Sequence, residues 1–197
     1  MRAMTPAPRG ETEALRAELS VLRAEKDRLV EHRGRMEAEL VHLVRMRAAS
    51  MRLSEARHLE PLREALVEVV VNLVGSERMG LYEPERGELV LRRSVGLDAG
   101  REGRVRLDTG PVAESVRTGV AWFEGLACPP PVSAEAGPRA CVPLEFGGRV
   151  LGVILLFELL PHKPCLDAGD RELLQLLATE GARALYCARG LAAGWPS

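Results

Sequence analysis

PRACVPLEFGGRVLGVILLFE, residues 138–158, reads as the central hairpin of a β-sheet. Ala140, Val142 and Leu144 alternate with polar or small residues, and after Gly147-Gly148 the run from Val150 to Phe157 is almost wholly apolar. Two adjacent glycines permit the positive φ angles of a tight two-residue turn, so Phe146 and Arg149 are predicted to face each other across it. A strand that is apolar on both faces must be covered on both faces. Helices are therefore expected above and below this hairpin, and the flanking sequence supplies them.

The chain has 197 residues, 46% apolar and 28% charged, enough for one domain with an extension. A net charge of −1 argues against a general nucleic-acid binder or a protein drawn to anionic membranes. The run Val150–Phe157 is far too short to span a bilayer, and the opening MRAMTPAPRG offers no apolar leader. A cytoplasmic location is the expectation. Cys128, Cys141, Cys165 and Cys187 lack C-x-x-C spacing, so neither a zinc site nor a disulfide framework is expected.

Residues 1–10, with Pro6, Pro8 and Gly10, read as a disordered tail. From 11 to 60 there is no proline, and Leu15, Leu22, Leu29, Met36 and Leu43 recur every seven residues, with Leu19 and Leu40 between them. Such a repeat keeps one apolar seam turned toward a partner helix and marks a left-handed coiled coil. With the five-membered series at d, Glu11 and Glu18 fall at g and Arg16 and Arg23 at e, which pair attractively in a parallel dimer. Lys26, Arg33 and Arg47 occupy other a positions, where their stems pack while their charges reach water. A helix about 75 Å long, at 1.5 Å per residue, needs a partner, most economically a second copy of itself.

A globular domain is expected over 61–190, followed by a tail at 191–197. Pro61 suits a first helical turn, and Leu62, Leu66, Val69, Val70 and Leu73 form one helix face before Gly75. Strands over Met79–Tyr82 and Glu88–Val95 are predicted around a loop at Glu83–Gly87, with a third strand at Gly103–Leu107. Asp108 or Thr109 should cap a helix running through Arg117, ended by Gly119, before a strand at Val120–Phe123. Gly125–Gly137, with its three consecutive prolines, reads as irregular, and Asp167 should cap a closing helix from Ala168 to about Arg189. The predicted fold is α+β: a mostly antiparallel sheet sandwiched by helices and preceded by a long coiled-coil helix.

Residues 59–189 resemble a GAF domain. The resemblance is carried by LVGSERMGLYEPERGELVLRRSVGL in the place of the family's first two strands and by LDTGPVAESVRTGVAWF, like its glycine-capped helix and following strand. ACVPLEFGGRVLGVILLF is similar to its central hairpin, and DRELLQLLATEGARALYCAR to its closing helix. The sequence departs from the family at Cys165-Leu166, where an aromatic residue is common, and near Ala113, where a glycine is. The resemblance implies a regulatory role, either binding a small molecule or dimerising without one.

The residues then narrow the choice. No Asn-Lys-Phe-Asp-Glu constellation of cyclic-nucleotide binders is present, nor a Walker-like glycine run, and no cofactor is predicted. Trp122, Phe123, Cys128 and Cys141 are the candidates for a pocket or its flap. Cys128 and Cys141 occupy roughly the region used by the GAF branch that reduces free methionine sulfoxide, but Leu107–Val116 lacks that branch's further cysteine. The expectation is a non-enzymatic regulatory protein that forms a homodimer through Leu15, Leu19, Leu22, Leu29, Met36, Leu40 and Leu43. Its output would pass to a separate signalling protein, with no nucleic-acid or membrane partner. The alternatives are a small-molecule sensor and, less favoured, a thiol-dependent free methionine sulfoxide reductase.

Overall fold

The computed structural model describes residues 9–124 and 137–192, with side chains over 13–124 and 137–190. Helix α1 runs unbroken from Arg9 to Glu55. It passes through Gly34, where nothing lies within 4 Å of an added Cβ, so that glycine serves no packing need. The described residues up to Val44 form one unit and those from Arg45 onward a second, compact one. The last turns of α1 belong to the compact unit, since Ala49 and Leu53 are part of its core.

A six-stranded antiparallel sheet organises that unit, in the order β3-β2-β1-β6-β5-β4. At its centre lies the predicted hairpin, β5 (Ala140–Phe146) and β6 (Arg149–Leu159), with Phe146 opposite Arg149. Gly147 and Gly148 take φ of 62° and 76°, the left-handed region that such a turn demands. Strand β1 (Ser76–Glu85) pairs with β6 on one side and β2 (Glu88–Val95) on the other. The turn between β1 and β2 is tighter than expected. Arg86 and Gly87 alone form it, both at positive φ, and Glu83-Pro84-Glu85 extend the strand instead of looping. Strands β3 (Arg104–Arg106) and β4 (Trp122–Phe123) form the two short edges.

Helices cover one face. α2 (Leu59–Val69) continues into a π turn, Val70–Val74, and stops at left-handed Gly75. α5 (Ala168–Leu176) passes through a second π turn, Leu177–Gly181, into α6 (Ala182–Ala192), so Gly190 does not end the closing helix as expected. Leu62, Leu66 and Val70 from one helix and Leu173, Leu174, Leu177 and Leu185 from the other meet Met79, Leu81, Val142, Leu144, Ile154 and Leu156 of the sheet. Full burial of each such side chain stabilises the fold by about 1.5–3 kcal/mol. Gly181 lets the two helices approach, since a Cβ there would sit 2.8 Å from Leu66 Cδ2.

The opposite face carries a smaller core of Tyr82, Leu89, Cys141, Val153 and Leu155, covered in part by Val112 of α4 (Pro111–Thr118). Gly110 is the N-cap of α4 without a side-chain bond, so the caps expected of Asp108 or Thr109 are not made. Pro111 at the first helical position removes one of the amides a cap would serve. A one-turn helix, α3 (Ala99–Glu102), lies between β2 and β3 and has no counterpart in the sequence expectation.

Candidate functional site

All seven residues of the predicted seam, Leu15, Leu19, Leu22, Leu29, Met36, Leu40 and Leu43, lie on α1 and are half or more exposed. Val30 and Val44, each next to a d position, are equally exposed and widen the stripe. Contiguous apolar surface of this kind is rare on monomeric proteins. Charge pairs of the helix itself, Arg33–Glu37 at 3.3 Å and Arg35–Glu31 at 2.5 Å, stabilise the helix only slightly.

The smaller core holds the side chains expected to line a pocket. Trp122 pairs across the sheet with Cys141 and lies against that core, whereas Phe123 pairs with Ala140 and turns to the helix-covered face. There the Arg171 guanidinium stands 5.5 Å from the Phe123 ring centre. Alternation along a strand therefore separates the two aromatics. Cys128 lies outside the described residues. Tyr82, which the sequence reading passed over, is fully buried at the middle of this face, and its hydroxyl donates to the Glu102 carbonyl at 3.0 Å. Gly80 makes room for it, because a Cβ there would meet the Tyr82 ring at 2.5 Å.

Burial pushes the Tyr82 phenol up to about 12, with the Glu102 charge adding to the effect. Burial likewise pushes the Cys141 thiol up to about 11, offset in part by a hydrogen bond with Ser115. At neutral pH Cys141 is a thiol, not a nucleophilic thiolate. Cys141 and Cys187 are free. Cys165 is disulfide-bonded, a single bond that the spacing of the four cysteines did not signal, because C-x-x-C spacing does not report partners that only folding brings together. Among the described residues no cluster of histidine, cysteine and carboxylate side chains could hold a metal ion.

Two buried carboxylates organise the charged groups. Glu83 on β1 accepts from Arg63 Nε and Nη2 at 2.9 and 2.6 Å and from Arg92 Nε at 3.3 Å, and it forms an ion pair with Arg189 Nη2 at 3.0 Å. One side chain thus joins α2, β2 and α6. The register of β1 on β2 slips between Leu81 and Tyr82, leaving Arg92 as an extra residue. Such a bulge breaks the alternation, so that Arg92 reaches Glu83 while its neighbour Arg93 reaches Glu60 on α2 at 2.9 Å. The hydrogen bond from Arg63, with help from Arg93, holds the Glu60 carboxyl below the usual range.

Asp170 on α5 is the second carboxylate, fully buried. It accepts from Arg45 of α1 at 2.5 Å and from Lys163 at 2.7 Å, and it completes a capping box with Asp167. The two cations continue to the Leu73 and Val74 carbonyls, which the end of a helix leaves without intrahelical partners. The foot of α1, the end of the π turn after α2 and the start of α5 meet on one charge. Each of the two carboxylates is thus held by cations from more than one element.

Comparison with known proteins fits this architecture. The GAF domain of a phosphoenolpyruvate-protein phosphotransferase from Coxiella burnetii superposes with a TM-score of 0.61 at 18% identity, over 78% of this chain and 98% of that one. The corresponding Acinetobacter domain gives 0.59 at 16%, over 78% and 96%. Free methionine-R-sulfoxide reductase from Neisseria meningitidis gives 0.55 at 20%, over 74% and 89%. No curated protein matches the chain. Among the described residues no helix is long and apolar enough to cross a membrane. A model of the GAF domain matches residues 56–185, and with the six-stranded sheet and its helical cover this places the chain in the GAF domain family.

Proposed function

We propose that this chain is a non-enzymatic GAF-type regulatory protein that works as a homodimer joined along α1 and passes its signal to a separate protein by direct contact. The observation that carries the reading is the exposed heptad stripe from Leu15 to Leu43, on a helix whose foot enters the domain core at Ala49 and Leu53. Arg45 ties that foot to Asp170 on the closing helix, so a change in helix pairing has a physical contact through which to reach the domain. A cytoplasmic setting belongs to the same proposal, although a disulfide at Cys165 would be unusual there.

A reductase is the weaker reading for a chemical reason. A thiol with a pKa of about 11 is ionised in only about one molecule in ten thousand at pH 7. No thiol-dependent consumption of free methionine sulfoxide is expected, and turnover that vanished in Cys141→Ser would reverse the assignment. A sensor with its ligand against the second face of the sheet is also disfavoured, since Tyr82, Leu89 and Leu155 already fill the middle of that face. Calorimetry with micromolar cyclic AMP or cyclic GMP should give no saturable heat.

The decisive experiment replaces Leu22 and Leu29 with glutamate. Each carboxylate would be desolvated at the helix interface at a cost of several kcal/mol. Light scattering coupled to size exclusion should report a dimer for the parent chain and a monomer for the double variant. A parent chain that is monomeric at tens of micromolar, or a double variant that stays dimeric, would refute pairing along this seam.

A further inference from the structure

The sheet is left incomplete at one end of β2. β3 pairs only with Glu88, Leu89 and Val90; beyond them the Leu91 N–H donates to the Gly103 carbonyl at 2.9 Å and the two chains part. The notch between Leu91–Ser94 on one side and α3 with Gly103 and Arg104 on the other is a groove of about 690 Å³. That volume suits a nucleotide-sized molecule. Four of the nine lining residues are arginines, Arg92, Arg93, Arg101 and Arg104, and no carboxylate lines it.

Three of these arginines are anchored by carboxylates that do not line the groove. Arg92 meets Glu83 and Glu85 at 3.3 and 3.1 Å, Arg93 meets Glu60 at 2.9 Å, and Arg104 meets Glu88 at 3.0 Å. A guanidinium has five N–H donors, so one or two such bonds fix its place and leave donors over. Arg101 makes no ion pair among the described residues. The Arg104–Glu88 pair is largely exposed, and pairs of that kind are weak enough to yield to a stronger anion. A single carboxylate offers no more than the glutamates already present. An anion that displaces them must bring more charge and more acceptor oxygens, which is the property of a phosphate chain against planar arginine forks.

We infer that this groove binds a small ligand carrying two or more linked phosphate groups. Leu91 joins the floor of the groove to the core around Tyr82, and the inference does not depend on dimerisation, since every lining residue lies in the unit from residue 45 onward.

The test is isothermal titration calorimetry on the full chain with inorganic pyrophosphate, ATP, cyclic AMP and adenosine. Pyrophosphate and ATP should bind saturably, and cyclic AMP and adenosine should not. Arg101→Glu/Arg104→Glu alters two exposed side chains outside both cores, so circular dichroism should be unchanged while affinity falls by about tenfold or more. Arg117→Glu, on the exposed surface of α4, serves as the charge control and should bind like the parent chain. No heat from pyrophosphate or ATP up to about 1 mM would overturn the assignment. So would equal losses in the Arg117 control, which would mean diffuse attraction, or parent-like affinity in the double variant. The oligomeric mass decides the dimer reading independently of each of these results.

Discussion

Tyr82 shows how one side chain sets the character of a face. Its ring fills the centre of the sheet surface opposite the helices, and its phenol pKa is raised from 10.0 to about 12 by burial and by the Glu102 charge. A raised acid pKa means that the folded state keeps its proton where the unfolded chain has lost it, so folding stability falls as pH rises through that interval. Cys141, raised from 9.0 to about 11, acts in the same direction slightly earlier. Unfolding in urea should therefore show stability present below pH 9 and declining between about pH 9 and 12. Tyr82→Phe should flatten the part of that decline between pH 10 and 12 while leaving the part due to Cys141. Loss of the bond to the Glu102 carbonyl should also cost the variant about 1 kcal/mol at neutral pH. An unchanged alkaline profile would mean that the phenol is not buried as described.

Among the elements, the closing helix depends on a charge at its start. Asp170 accepts from Arg45, Lys163 and the Asp167 amide, so it caps α5 and compensates two cations with one buried group. Asp170→Asn preserves the shape and removes the charge. It should destabilise the domain by about 3 kcal/mol in urea unfolding, because it leaves Arg45 and Lys163 without compensation in a partly buried setting. Hydrogen exchange should rise first at the foot of α1 and the start of α5. A change below about 0.5 kcal/mol would show that the two cations find water readily, and it would remove the proposed path from α1 to the domain.

At the scale of the whole molecule, the compact unit draws on α1. Ala49 and Leu53 are buried in the main core, and Arg45 compensates Asp170. A chain beginning at Arg45 should therefore be a monomer that unfolds cooperatively, within about 1 kcal/mol of the Leu22→Glu/Leu29→Glu variant. A chain beginning at Leu59 should lose at least about 3 kcal/mol, since it uncovers part of the core and leaves Asp170 with one cation fewer. Equal stability of the two shortened chains would show that residues 45–58 add nothing to the fold.

Local chemistry made much of this protein legible in its sequence. Paired glycines at 147 and 148 define a turn, the leucine repeat from 15 to 43 defines a helix with one apolar stripe, and Asp167 marks a helix start, because each signal is read within a few residues of chain. Tertiary structure decided what depends on distant partners. The bulge at Arg92 is a mismatch of register between two strands and leaves no trace in either strand alone. Trp122 and Phe123 are neighbours in sequence, yet the alternation of β4 sends them to opposite faces, so only one belongs with Cys141. Glu83 and Asp170 look like ordinary acidic residues until the cations that surround each of them are gathered from separate helices and strands. The arginine groove arises in the same way, where a short edge strand ends and leaves its neighbour's side chains without cover. Periodicity and turn chemistry act along the chain and can be read from it, whereas charge compensation and cavities act across it and exist only once it has folded.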